Sequence, residues 1–209
     1  WGLWVALDIE GRVALSAGGF VTAALVHIFH REKFEPIVRS ALVVALLGYT
    51  CAVLGLFLDL GRWYNIWHPA MPWMWQGNSV LFEVAMCVMA YLHVLYGEFV
   101  PAVCERFIGR VHLPGPLAPL NAIVDKVLRV VAVVFDKLMF FLIIAGVVLS
   151  CMHQSALGSL ILVAPFKTNP LWFTPVLPLL FLISAIGVGL PMVVFEHVYA
   201  SWAFGRKIP

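Results

Sequence analysis

Charge is scarce in this chain. Only 11% of its 209 residues are Asp, Glu, Lys or Arg, where a soluble domain carries about a quarter. Hydrophobic residues make up 63% and the mean hydropathy is +0.98, which excludes a soluble globular domain and leaves an integral membrane protein. The net charge of +2 is too small to hold a polyanion, which excludes nucleic acid as a partner. No CxxC pair occurs. The four cysteines (Cys51, Cys87, Cys104 and Cys151) sit in apolar stretches and read as small packing residues, so no iron–sulfur, zinc or other metal site is expected. No charged segment precedes a short apolar core at the start, so no signal peptide is expected. The chain reads as a segment of a longer protein.

What is present is a set of long apolar runs. A bilayer core needs about 20 mostly apolar residues per helix, and the pattern gives five candidates: 13–29, 37–58, 79–103, 130–152 and 176–199. The expected fold is an all-α polytopic membrane bundle. Residues 1–152 form a first four-helix bundle. Residues 153–209 form a short interfacial or re-entrant segment near 157–164, then the first helix of a second, incomplete bundle. Asp136-Lys137 interrupts the fourth run. Gly18-Gly19 in the first helix, and Gly48 four residues before Ala52 in the second, let backbones approach closely.

Orientation follows from the basic residues. Side A, after the first, third and fifth helices, holds nine: Arg31, Lys33, Arg39, Arg106, Arg110, Lys126, Arg129, Arg206 and Lys207. Side B holds three: Arg12, Arg62 and Lys167. Side A is therefore expected in the cytoplasm and side B in the periplasm. Side B also carries seven of the eight tryptophans, a dense form of an interfacial aromatic belt.

The polar residues gather on side B. Asp59 and Arg62 lie three apart at the end of the second helix, a spacing that brings them together if the helix continues. His68 stands between Trp67 and Pro69, and histidine is the side-chain type suited to reversible proton transfer. Glu83 opens the third helix, His153-Gln154-Ser155 closes the fourth, and Asp8 and Glu10 approach from the start of the chain. Ionisable groups at membrane depth are expensive and kept mainly for function, so a pocket is expected there. Glu98 and Asp136 lie nearer side A and read as a buried ion cluster or the inner end of a proton path. Two separate clusters with an apolar middle weigh against a transporter-like relay joining both faces. Bis-histidine haem needs two histidines at one depth facing one cavity; His27, His93, His153 and His197 show no such spacing.

Several of these stretches are similar to the NrfD/polysulfide-reductase membrane-subunit family, in particular its HybB-like hydrogenase branch. They are Ala17-Gly18-Gly19-Phe20, Leu58-Asp59-Leu60-Gly61-Arg62 with Trp67-His68-Pro69, Ser79 to Glu83, Met152-His153-Gln154-Ser155, and Pro170-Leu171-Trp172 with Phe195-Glu196. The resemblance implies a haem-free, metal-free subunit of the bacterial or archaeal inner membrane. It would bind menaquinone or ubiquinone near the periplasmic face and exchange electrons with a docked iron–sulfur subunit of a hydrogenase or multihaem cytochrome c complex. It also implies about eight to ten helices in the whole protein. By that resemblance Asp59, Arg62, His68, Glu83 and His153 are the candidates for the quinone site and its proton exit. With the residues beside them, Asp59, His68 and Glu83 are expected to exchange protons and Gly19, Arg62, Trp67, His153 and Ser155 to surround the quinone, while Glu98 and Asp136, by their place near side A, are expected on a proton path. An ion-translocating subunit, a haem-b anchor and a purely structural anchor are the other readings.

Overall fold

The computed structural model describes residues 11–111, 118, 120–163, 166, 167 and 169–205. Every regular element among them is helical. Helix α1 is Arg12–Ala23, prolonged by a π-helical turn over Ala24–Ile28. Helix α2 is Glu35–Asp59, α3 is Val80–Phe107, α4 is Leu120–Leu162 and α5 is Leu177–Ala203. The last four are each long and apolar enough to cross a membrane; α1 is shorter.

Local chemistry sets the ends. Pro36 lies in the first turn of α2 and Pro178 in that of α5, where a missing N–H costs nothing. Ser79 caps α3 by accepting from the Phe82 backbone N–H. On side A, Asp125 Oδ1 accepts from Gly109 N–H at 2.7 Å, which ties the exit of α3 to the start of α4. Pro101 and Pro191 lie inside α3 and α5; neighbouring helices make such interruptions tolerable in a membrane.

The expected break after residue 152 is not found. Helix α4 runs unbroken for 43 residues through His153 to Leu162, about 65 Å at helical rise. The stretch read as a short interfacial segment is therefore the last turns of α4 as far as Leu162; residues 164 and 165 lie outside the described set. Ala156, Leu157 and Gly158 are buried, because α5 and α1 cover them. Short hydropathy windows end at His153 and Gln154, but here both side chains turn inward and meet polar partners.

The five helices close into a ring in chain order, with α5 returning onto α1. The α1 joints are made by small residues. A Cβ on Gly18 would collide with the backbone of Gly189, and one on Gly19 with Ala45 while lying 3.0 Å from the Ala41 carbonyl oxygen. Such contacts replace the hydrophobic drive that lipid removes. Gln154 Nε2 donates to the Val13 carbonyl at 3.2 Å, which seats the start of α1 on α4. The loosest joint between sequential helices is α2 against α3. There the apolar core of Ala45, Leu46, Tyr49, Ala52, Tyr91 and Leu95 gives way to open space.

Candidate functional site

That space is a cavity of about 370 Å³ between α2, α3 and α4, floored by Val13 of α1. Its wall is aliphatic: Val53 and Leu56 from α2 and Leu60 just past its end, Leu81, Val84, Ala85 and Val88 from α3, Leu157 and Leu160 from α4. The polar exceptions are Tyr49 and His153. Both are 1% exposed. The Tyr49 hydroxyl and His153 Nδ1 share a hydrogen bond of 2.7 Å, and the two rings stand edge to face at 5.6 Å.

His153 Nε2 is buried and has no hydrogen-bond partner. An unpaired polar atom in an apolar interior costs the full desolvation of that atom, so it calls for a polar ligand. With Tyr49 donating to Nδ1, the neutral ring carries its proton on Nε2, within a ring that lines the cavity. The site lies below the helix ends. Tyr49 is ten residues from the end of α2, Tyr91 eleven from the start of α3 and His153 nine from the end of α4, each about 14–17 Å from side B.

A second recess of about 500 Å³ abuts the first and shares Val53, Leu56, Leu60, Ala85 and Val88 with it. It extends along the outside of α2 and α3 past Met89 and Leu92, and reaches Arg62, Asn65, Ile66 and Pro69 of the side-B loop. Together the two make one slot of aliphatic length, with Tyr49 and His153 at its inner end and Arg62 and Asn65 at its loop end.

The other residues singled out by sequence are more dispersed than expected. Asp59 and Arg62 form no ion pair within 4.0 Å. Helix α2 ends at Asp59 and Leu60 is extended (ψ 115°), so the three-residue spacing is no longer helical. Asp59 is half-buried, with Oδ2 unpartnered. Arg62 is exposed and reaches only the outer recess. His68 lies half-buried in a 3₁₀ turn, its ring 4.5 Å from that of exposed Trp67 in an edge contact. Glu83 is exposed in the first turn of α3, where the helix dipole favours a carboxylate. Ser155 donates to the Met152 carbonyl. Gly19 packs on α2 and borders a small inner void, not the His153 cavity. Asp8 and Glu10 lie outside the described residues.

So His153 alone of that set lines the main cavity, and Arg62 its outer extension. Near side A the grouping of Glu98 and Asp136 is present: both line a cavity of about 300 Å³ with His27, Glu35, Arg39 and Glu105. Sequence reasoning missed Tyr49 and Tyr91. Each is a tyrosine within a mostly apolar helical run, a polar group at membrane mid-depth that could have been flagged on the same ground as the carboxylates.

Fold and site thus define an all-α polytopic membrane protein with an aliphatic slot ending in a histidine–tyrosine pair. The family described as "Polysulphide reductase, NrfD" matches residues 1–207, and the chain belongs to that family. A protein of Nitratidesulfovibrio vulgaris is 40% identical over 94% of this chain and 45% of its own length. The "Probable Ni/Fe-hydrogenase 2 b-type cytochrome subunit" of Escherichia coli is 36% identical over 94% of this chain and 45% of its own. The "Menaquinone reductase, integral membrane subunit" of N. vulgaris is 29% identical over the whole chain and 47% of its own. The chain therefore spans about half the length of the curated relatives it matches. No solved structure matches it.

Proposed function

We propose that this chain is half of a quinone-exchanging membrane subunit of a respiratory oxidoreductase, with the quinone headgroup held at His153. The observation that carries the reading is the unpartnered, buried Nε2 at the polar end of an aliphatic slot. A headgroup oxygen is the right acceptor for that N–H, and an isoprenoid tail suits the aliphatic wall between α2 and α3. A quinone, when bound, takes or gives two electrons and two protons; the chain supplies binding, orientation and proton exchange. Tyr49 holds the ring direction of His153 through the 2.7 Å bond, and as donor to Nδ1 it leaves the ring proton on Nε2. His153 can pass a proton at Nε2 while Nδ1 takes one from the tyrosine.

Asp59, His68 and Glu83 then form the side-B rim. They exchange protons with water and meet the partner, and they do not contact the headgroup. The partner is an iron–sulfur subunit of a hydrogenase or multihaem cytochrome complex on the periplasmic face of the inner membrane, in keeping with the family and with the basic residues of side A. The name of one relative favours menaquinone. The name of another speaks of a b-type cytochrome. The residues here do not fit a bis-histidine haem: none of the four cavities described is lined by two histidines. His93 is exposed, with Nδ1 2.7 Å from the Met89 carbonyl oxygen.

The test is His153→Leu in the intact complex. Quinone turnover should fall by about a hundredfold or more, while reduction of an artificial dye by the soluble partner is unchanged. Full quinone turnover in that variant would overturn the assignment.

A further inference from the structure

The side-A cavity is built differently from the slot. Helices α1, α2, α3 and α4 all contribute to its wall, and four carboxylates border it: Glu35, Glu98, Glu105 and Asp136. Arg39 is its one guanidinium, and it forms no ion pair within 4.0 Å among the described residues. Three negative charges are thus left unmatched. Glu35 is the first residue of α2 and Glu105 is two residues from the end of α3. Both are exposed and mark the mouth. Glu98 is nine residues from that end, about 14 Å deep. It is 9% exposed and makes no hydrogen bond or ion pair among the described residues. Inward of it the packing closes to a void of about 10 Å³. Glu98 is therefore the floor of a funnel that opens to side A.

Two features shape that floor. A Cβ on Gly146 would stand 3.0 Å from Glu98 Oε1, so glycine leaves the carboxylate uncrowded. Pro101, which borders the cavity, has no N–H, so the Gly97 carbonyl lacks its helical donor. An unpaired carboxylate beside such a carbonyl is costly at this depth and calls for a cationic donor. A metal ion does not suit it: among the described residues no three His, Cys, Asp or Glu side chains converge closely enough to hold one. A lipid does not suit it either, because the mouth lies at the helix ends and acyl chains would stand in side-A water. Between floor and mouth the wall is apolar, made by Val38, Leu42, Pro101, Ala102, Met139 and Ile143. Negative charge at both ends and an apolar middle suit a linear alkylamine with an ammonium at each end. Glu98 and Glu105 lie two turns apart on one face of α3, about 10 Å along its axis, a span that a triamine chain fills and a short monoamine does not.

We propose that this funnel binds a linear polyamine of the spermidine class. One terminal ammonium, with three N–H donors, sits on Glu98 and the Gly97 carbonyl. The other lies among Glu35, Glu105 and Asp136 at the mouth. The three charges of such a molecule match the three that Arg39 leaves unmatched. The site shares no lining residue with the His153 slot and stands independently of the quinone reading.

The experiment is equilibrium dialysis of labelled spermidine against the intact complex in phosphatidylcholine nanodiscs, whose zwitterionic surface does not gather polyamines by charge. Magnesium in excess covers the exposed carboxylates. Wild type should show a saturable site for each copy of this chain, and propylamine should not displace spermidine from it. Glu98→Gln should weaken binding about tenfold or more, as loss of a charged hydrogen bond does. Ala102→Phe, which narrows the funnel and leaves every charge in place, should weaken it as well. Glu83→Gln, an acid removed on side B, should leave it unchanged. Unaltered binding of a hydroxyquinoline N-oxide quinone analogue marks Glu98→Gln and Ala102→Phe as folded. Absence of a saturable site in wild type, its loss in excess magnesium, or equal affinity in wild type, Glu98→Gln and Ala102→Phe would overturn the proposal and leave the quinone reading untouched.

Discussion

The side-B loop and the middle of the bundle invite comparison, because both hold histidine and tyrosine. In the loop, Trp63, Tyr64, Trp67 and Trp73 are exposed, the backbone is a run of 3₁₀ turns, and the half-buried His68 ring stands edge-on to Trp67. In the middle, Tyr49, Tyr91 and His153 are almost wholly buried and hold one another by a hydrogen bond and edge contacts. The loop is crowded in sequence and open in space; the middle is sparse in sequence and concentrated in space. Density of polar letters is thus a poor guide to a membrane site. What marks one is a polar atom placed where nothing but a ligand can satisfy it.

Perturbing the two regions should therefore give unequal results. The largest effect is on the scaffold beneath both. Gly18→Leu or Gly189→Leu would force α1 from α5, and overpacking of this kind costs about 3 kcal/mol or more; the readout is loss of complex that can be purified. Next comes His153→Leu, with quinone turnover down about a hundredfold in a complex that still assembles. Tyr49→Phe leaves the histidine without its orienting hydroxyl and should cost about tenfold, with analogue affinity weakened as well. The smallest effect is expected in the loop. Asp59→Asn and His68→Ala should each leave turnover within about threefold of wild type, because neither lines the His153 cavity and both are half-buried at the loop rim, where charge is partly screened. A reversal of that order, with the loop variants more damaging than His153→Leu, would break the comparison.

Much of the fold was legible in the sequence. Each of the five apolar runs falls on a helix, since hydropathy reports the lipid environment that forces helix formation. The continuity of α4 was not legible. Asp136-Lys137 and His153-Gln154 look like ends, but Asp136 faces a polar cavity and Gln154 bonds to the Val13 carbonyl, so the helix passes through both. Gly18-Gly19 was correctly marked as a packing point, although Gly189 as its counterpart needed the tertiary structure. Of the site, His153 was named for its motif, while its depth and its tyrosine partner could not be read from spacing within one helix. The pairing of Asp59 with Arg62 was expected from helical spacing, and it fails because the helix ends at Asp59 itself, three residues short of Arg62. The tyrosines were overlooked because they carry no charge, although a buried hydroxyl in lipid asks the same question as a buried carboxylate.

The most direct measurement is a density map of the intact complex with a quinone analogue bound. The headgroup is expected within hydrogen-bond distance of His153 Nε2, with its tail between α2 and α3. A headgroup seated instead among Asp59, Trp67 and His68, with the His153 cavity filled by a side chain from the rest of the protein, would contradict that assignment.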